Sequence, residues 1–133
     1  MSTEMTAMEQ IHEGMIRRAQ ELYRLYVLSN RRMRQMESAK SKLKEMVGNN
    51  GDFGMCYVMD MLEEKYKEET GFNNNICNEY YHYIEFVNSF ERSAREYGIG
   101  CLWDVNAKME AHLMEIDKEK REDEQKAFEK YCK

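Results

Sequence analysis

Apolar residues return at a helical spacing all the way from Met5 to Val47. One heptad position reads Met8, Met15, Leu22, Ser29, Met36, Leu43, and the position four later reads His12, Ala19, Tyr26, Met33, Lys40, Val47. Sustained over that length, the repeat predicts one very long helix with a seam of the coiled-coil kind, imperfect at Ser29 and Lys40. Thr6-Ala7-Met8-Glu9 fits a capping box at its start, with Ser2 or Thr3 as an earlier alternative. Between Leu22 and Leu28 the apolar surface widens to most of the circumference, so this stretch must be covered on more than one side. Gly14 marks a bend or a close approach, and Ser29-Asn30 is the place for a break if the helix is two.

Gly48-Asn49-Asn50-Gly51 is the clearest stop in the chain. Asp52 then caps a second helix over about 53–69, with Met55, Val58, Met59, Leu62 and Tyr66 as its apolar stripe. Thr70-Gly71-Phe72-Asn73-Asn74-Asn75 reads as the next turn. A third helix follows over about 76–97, striped by Tyr80, Ile84, Val87, Phe90, Ala94 and Tyr97 and closed by Gly98. The last helix, about 102–131, starts near Leu102 or is capped by Asp104. Its inner face is Leu102, Val105, Met109, His112, Leu113 and Ile116. From Asp117 to Lys126 it forms helix readily through opposite charges three or four apart but has almost nothing to bury.

These elements predict a single all-α domain over 1–133: an antiparallel helical bundle of about four helices, coiled-coil-like, with a long N-terminal helix. With short turns, the second helix descends beside Arg31–Val47, the third climbs back, and the fourth descends past both. Arg31–Val47 is then fully packed and Met5–Leu28 projects beyond the bundle. Left uncovered, that half calls for another chain: a homodimer joined through Met8, Ile11, Met15, Leu22, Leu25, Tyr26 and Leu28, or else an obligate partner.

Composition agrees with helices. Proline is absent, Met reaches 12, and no β-branched alternating run is bounded by turns. Charged residues make up 34% and mean hydropathy is −0.86, so much of the surface stays wet. The net charge is −5, but its distribution says more. From Arg17 to Lys44 nine bases stand against Glu21 and Glu37, whereas from Asp52 to Glu96 ten acids stand against Lys65, Lys67, Arg92 and Arg95. The simplest account is a basic and an acidic helix lying side by side. No apolar run approaches a membrane span, no signal peptide opens the chain, and Cys56, Cys77, Cys101 and Cys132 lack a CxxC pair. A cytoplasmic protein with reduced thiols is expected, Cys56 and Cys101 serving as small buried hydrophobes.

Candidate chemistry is sparse. Glu9-Gln10-Ile11-His12 and Glu79-Tyr80-Tyr81-His82 match the Glu-x-x-His element of carboxylate-bridged metal bundles, but the expected fold brings them together only across a dimer. His82 and His112 fall at similar heights, with Glu85 a turn away, which suits either a metal site or a buried hydrogen-bonded histidine. No nucleophile is placed beside a base, and no Gly-rich phosphate loop is present. No cofactor is implied. Arg17, Arg24 and Arg31 recur every seven residues, extended by Arg34 and flanked by Arg18 and Arg32. The stripe serves either salt bridges or contact with nucleic acid or an acidic partner. Tyr80, Tyr81 and Tyr83 add aromatic surface of the kind enriched at interfaces. The reading that follows is a non-enzymatic, macromolecule-binding homo-oligomer. It would be a small acidic regulator or inhibitor of a protein partner, including the phage type that blocks a host nuclease or defence system. A nucleic-acid-binding regulator using the arginine stripe and a metal-carboxylate bundle enzyme are the alternatives.

Overall fold

The computed structural model describes residues 3–47 and 53–131 and is all-helical over them. Three helices are present among the described residues: α1 (Thr3–Val47), α2 (Phe53–Glu96) and α3 (Val105–Tyr131). The expected long first helix is there, starting at Thr3, so Thr6 lies inside the helix rather than at its cap. The Gly48–Asp52 stop lies outside the described residues.

The expected break at Thr70–Asn75 does not occur. All six residues belong to α2, which replaces the separate helices 53–69 and 76–97 with one of 44 residues. The break considered at Ser29-Asn30 is also absent. One contact accounts for both. Asn73 donates from Nδ2 to Asn30 Oδ1 at 2.8 Å and to Ser29 Oγ at 3.2 Å. Polar residues that read as turn formers in isolation satisfy one another across two helices, and tertiary pairing overrides local propensity.

The chain forms two compact units, Met1–Gln20 with Tyr83–Lys133, and Glu21–His82. The second unit is an antiparallel pair made from parts of α1 and α2. Tyr23 faces Tyr80, Asn30 faces Asn73, Glu37 faces Tyr66 and Lys40 faces Glu63, so each step along α1 is matched by an equal step back along α2. The register therefore holds without a slip through this unit. Lys40, the second imperfect position of the repeat, lies 3.1 Å from Glu63, and Arg32 pairs with Glu69 at 2.9 Å. The basic and acidic runs do lie side by side. Leu22, Ser29 and Ile76 are buried at one end of this pair. Among the described side chains, none from Asn30 to Asn75 is buried.

The first unit has three helical components: the start of α1, residues 83–96 of α2, and α3. Its core is Ile16, Ala19, Val87, Ala94, Val105 and Met109, with the polar residues His12, Glu91 and His112 buried among the helices. Coverage is thus the reverse of the expected arrangement. Because α2 does not turn at Thr70, its last part packs with the start of α1, while Arg31–Met46 has only one helix against it. The two helices join through a tight connection. Gly98 (φ 75°) ends α2, its N–H bonding to Arg95 O at 2.9 Å while the Ile99 N–H reaches Ala94 O at 2.9 Å. That is a Schellman ending, which needs a left-handed residue where Gly98 stands. Asp104 caps α3, the later of the two expected starts, its Oδ1 accepting from the N–H groups of Asn106 (3.1 Å) and Ala107 (3.3 Å). Every residue of α3 from Asp117 to Lys130 is exposed.

Candidate functional site

The most built cluster lies in the first unit, where α1 meets the α2–α3 connection. His12 falls on the seam of α1 and turns into the unit, 6% exposed. Its Nε2 is 2.6 Å from Oε2 of Glu91, itself 2% exposed. The other oxygen of Glu91 accepts the backbone N–H of Val105 at 3.1 Å, in the first turn of α3. Both carboxylate oxygens act as acceptors, so the ring N–H of His12 at Nε2 donates. A buried carboxylate is tolerated only when satisfied in this way, and the positive end of α3 favours it further.

Aromatic rings close the cluster. The Trp103 ring lies parallel to His12 with centroids 4.2 Å apart, and Phe90 stacks at 6.4 Å from His12 and 6.1 Å from Trp103. Gly100 makes that position possible. It has φ 61°, and a Cβ there would overlap the Trp103 indole. The Trp103 N–H bonds to Gly100 O at 3.0 Å, and the Trp103 carbonyl accepts from Arg95 Nη1 at 3.3 Å.

Beside this cluster runs an open groove of about 730 Å³. It is lined by His12, Ile16 and Trp103 and, from the first turns of α3, by Ala107 and Ala111. Two acids, Glu13 and Asp104, and two bases, Arg17 and Lys108, rim it. Leu102 stands at its edge and is 96% exposed, although the sequence places it on the inner face of the last helix. Asp104 starts α3 two residues later, which leaves Leu102 in the connection and free of the core.

The expected site residues are divided between the units. In the first unit Ile11 is exposed, Met8 and Met15 are half-buried, and Arg17 reaches the groove. In the second, Leu22 is 1% exposed and so closed to any partner, Tyr26 is half-buried, and Leu25 and Leu28 are exposed. Arg32 is engaged by Glu69 and lies over the Phe72 ring at 5.8 Å, and Arg24 has interactions within the chain. Arg31 and Arg34 are exposed. The stripe is therefore partly internal. Tyr80 packs on Tyr23 and Tyr81, and burial first, then the two neighbouring phenols, raise its pKa. Tyr81 is 62% exposed, and Tyr97, expected in the core, is 81% exposed.

The carboxylate against His12 is Glu91, not the Glu9 of its own motif. His82 is exposed in one unit, and His112 is buried in the other with Nε2 lacking a hydrogen-bond partner. Among the described residues no group of three or more His, Cys, Asp or Glu is placed to hold a metal. Cys56 and Cys101 are exposed free thiols in separate units rather than buried hydrophobes. Among the described residues no helix is long and apolar enough to cross a membrane. Comparison with protein families, curated proteins and solved structures returns no match to this chain.

The polar partner of His12 was missed from sequence, although a signal existed. His12 and Glu91 each interrupt an apolar helical repeat, and two such interruptions on different helices are candidates to meet.

Proposed function

We propose that the chain is a non-enzymatic protein-binding module that acts as a regulator or inhibitor of a protein partner, and that the groove beside Trp103 is where the partner docks. The carrying observation is Leu102. A large apolar side chain stands 96% exposed on a connection fixed by Gly98, Gly100, Trp103 and Asp104. A pre-ordered apolar knob beside a groove of mixed charge is the arrangement that interfaces use for anchoring, because little ordering entropy remains to be lost on binding. The groove holds no nucleophile beside a base, and its histidine is occupied by Glu91.

Affinity capture from cells that naturally contain the protein tests this reading, comparing wild type with Leu102→Asp. A partner should be retained by wild type and fall by about tenfold or more in the variant, with helicity unchanged because Leu102 touches no core. Equal retention by both proteins defeats the proposal. The second reading, nucleic-acid contact, is favoured by Arg31 and Arg34, which are exposed and make no ion pair among the described residues. It predicts salt-dependent DNA binding that Arg31→Glu abolishes and Leu102→Asp leaves intact.

A further inference from the structure

The Glu21–His82 unit is a two-helix pair with two open sides, and the sides differ. Arg32 over Phe72 places their helical stripes on one side. By helical spacing that side also carries Leu25, Leu43, Val58 and Met61, with Leu28 at its margin and the Lys65–Glu68 ion pair between Met61 and Phe72. Phe72 is 40% exposed and Val58 and Met61 are each 46% exposed. Over the same length the other side carries Arg34, Ser41, Lys67, Thr70 and Asn74, with Val27 as its apolar member on the stripe of Arg34. Two helices alone rarely bury enough to hold together, and here no described side chain from Asn30 to Asn75 is buried. A missing layer belongs on the more apolar of the two sides.

Charge identifies that layer. Residues 31–46 of α1 carry six bases and two acids, and residues 57–72 of α2 carry five acids and two bases. Arg32–Glu69 and Lys40–Glu63 use only part of this across the pair. Lys42 on the outer edge of α1 and Glu64 on the outer edge of α2 are exposed, with no ion pair among the described residues. A surface with one basic edge and one acidic edge is complementary to itself under a two-fold rotation. A two-fold axis running along the helices sets α1 of one copy antiparallel to α2 of the other. The basic and acidic stretches then lie at the same level, since they already do so within one copy.

We infer that a second copy of this chain docks on the Leu25–Phe72 side of the hairpin, closing a four-helix layer with α1 of each copy beside α2 of the other. The inference stands apart from the groove reading, since it uses none of the residues that line the groove. Of the residues expected at a dimer interface it keeps Leu25 and Leu28 and leaves out Met8, Ile11 and Met15.

Sedimentation equilibrium of the full chain over a wide concentration range tests it, with far-UV circular dichroism as the check on folding. Wild type should run at twice the chain mass. Met61→Glu places a charge in the apolar layer and should weaken association by at least about 100-fold. Lys42→Glu and Glu64→Lys, both at exposed positions, should each weaken it by about tenfold through two like-charge contacts. Mixed in equal amounts, the two variants should associate with each other as tightly as wild type, because both edges become complementary again. A wild-type monomer at all concentrations overturns the inference, as does a dimer indifferent to Met61→Glu. A mixture that associates no better than the single variants overturns the proposed pairing of edges.

Discussion

Glu91 ties together three parts of its unit with one carboxylate: the ring of His12 on α1, its own helix α2, and the first amide of α3. Removing such a group leaves both former partners buried and unpaired, and a buried polar group without a hydrogen bond is costly. The neighbouring glycines act on the same joint in different ways. Gly98 and Gly100 both have positive φ, but only at Gly100 does the space for a Cβ belong to another side chain. Gly98→Ala should cost about 1 kcal/mol, the price of a left-handed alanine. Gly100→Ala should cost more, about 2–4 kcal/mol, because the indole must leave its stack on His12. Urea unfolding followed by the fluorescence of Trp103, the only tryptophan, reads both. Equal losses would contradict the packing described.

At the scale of elements, the pairing of α1 with α2 carries its own pH dependence. The Arg32 guanidinium, helped by the Ser29 hydroxyl, holds the Glu69 carboxyl below its usual value of 4.5 against the opposing effect of burial. The folded state therefore prefers the carboxylate. This contribution is complete above the ordinary glutamate value and is lost as pH falls through the lower folded value. Tyr66 behaves oppositely. Its hydrogen bond to Glu37 first, then burial and the Glu37 charge, raise the phenol above 10.0. Its contribution is complete below that value and is lost as pH rises through the higher folded one. The urea midpoint should thus fall less steeply on acidification in Glu69→Gln than in wild type, and less steeply on alkalinisation in Tyr66→Phe. Parallel slopes would exclude these pairs as the cause.

The same pairs explain what could and could not be read in the chain. The heptad repeat from Met8 to Val47 was legible because one helix face is apolar along its length apart from His12, Ser29 and Lys40. The closing Gly98 was legible, and Asp104 was one of two legible starts for α3, because capping chemistry is local. The continuity of α2 through Thr70–Asn75 was not, because a glycine and three asparagines oppose a helix unless a partner is known, and the partners Ser29 and Asn30 lie more than 40 residues away. From that one misplaced turn follow the fourth helix and the inverted pattern of coverage. The groove was invisible for a related reason: Leu102 fits the periodicity of α3, and only the position of the cap removes it from the helix.

For the molecule as a whole, the charge asymmetry is the most informative global feature. A net charge of −5 hides a basic run and an acidic run that meet in one unit through Arg32–Glu69 and Lys40–Glu63. Exposed pairs of this kind contribute at most about 1 kcal/mol each, so their value lies in setting the register of the two helices rather than in stability. The two units divide the work accordingly. One holds a buried polar joint that fixes a groove and an exposed leucine, and the other holds an apolar side edged by opposite charges.

The exposed end of α3 has a consequence for the time scale on which this protein opens. Residues 117–130 form helix with no buried side chain, so their backbone hydrogen bonds are supported by little beyond charge pairs along one helix. A single helix of that length is marginal in water. Its amide protons should exchange with solvent at least about 100-fold faster than those of Val87–Ala94, whose release requires the first unit to come apart. Uniform protection along α3 would mean that something outside this chain covers it.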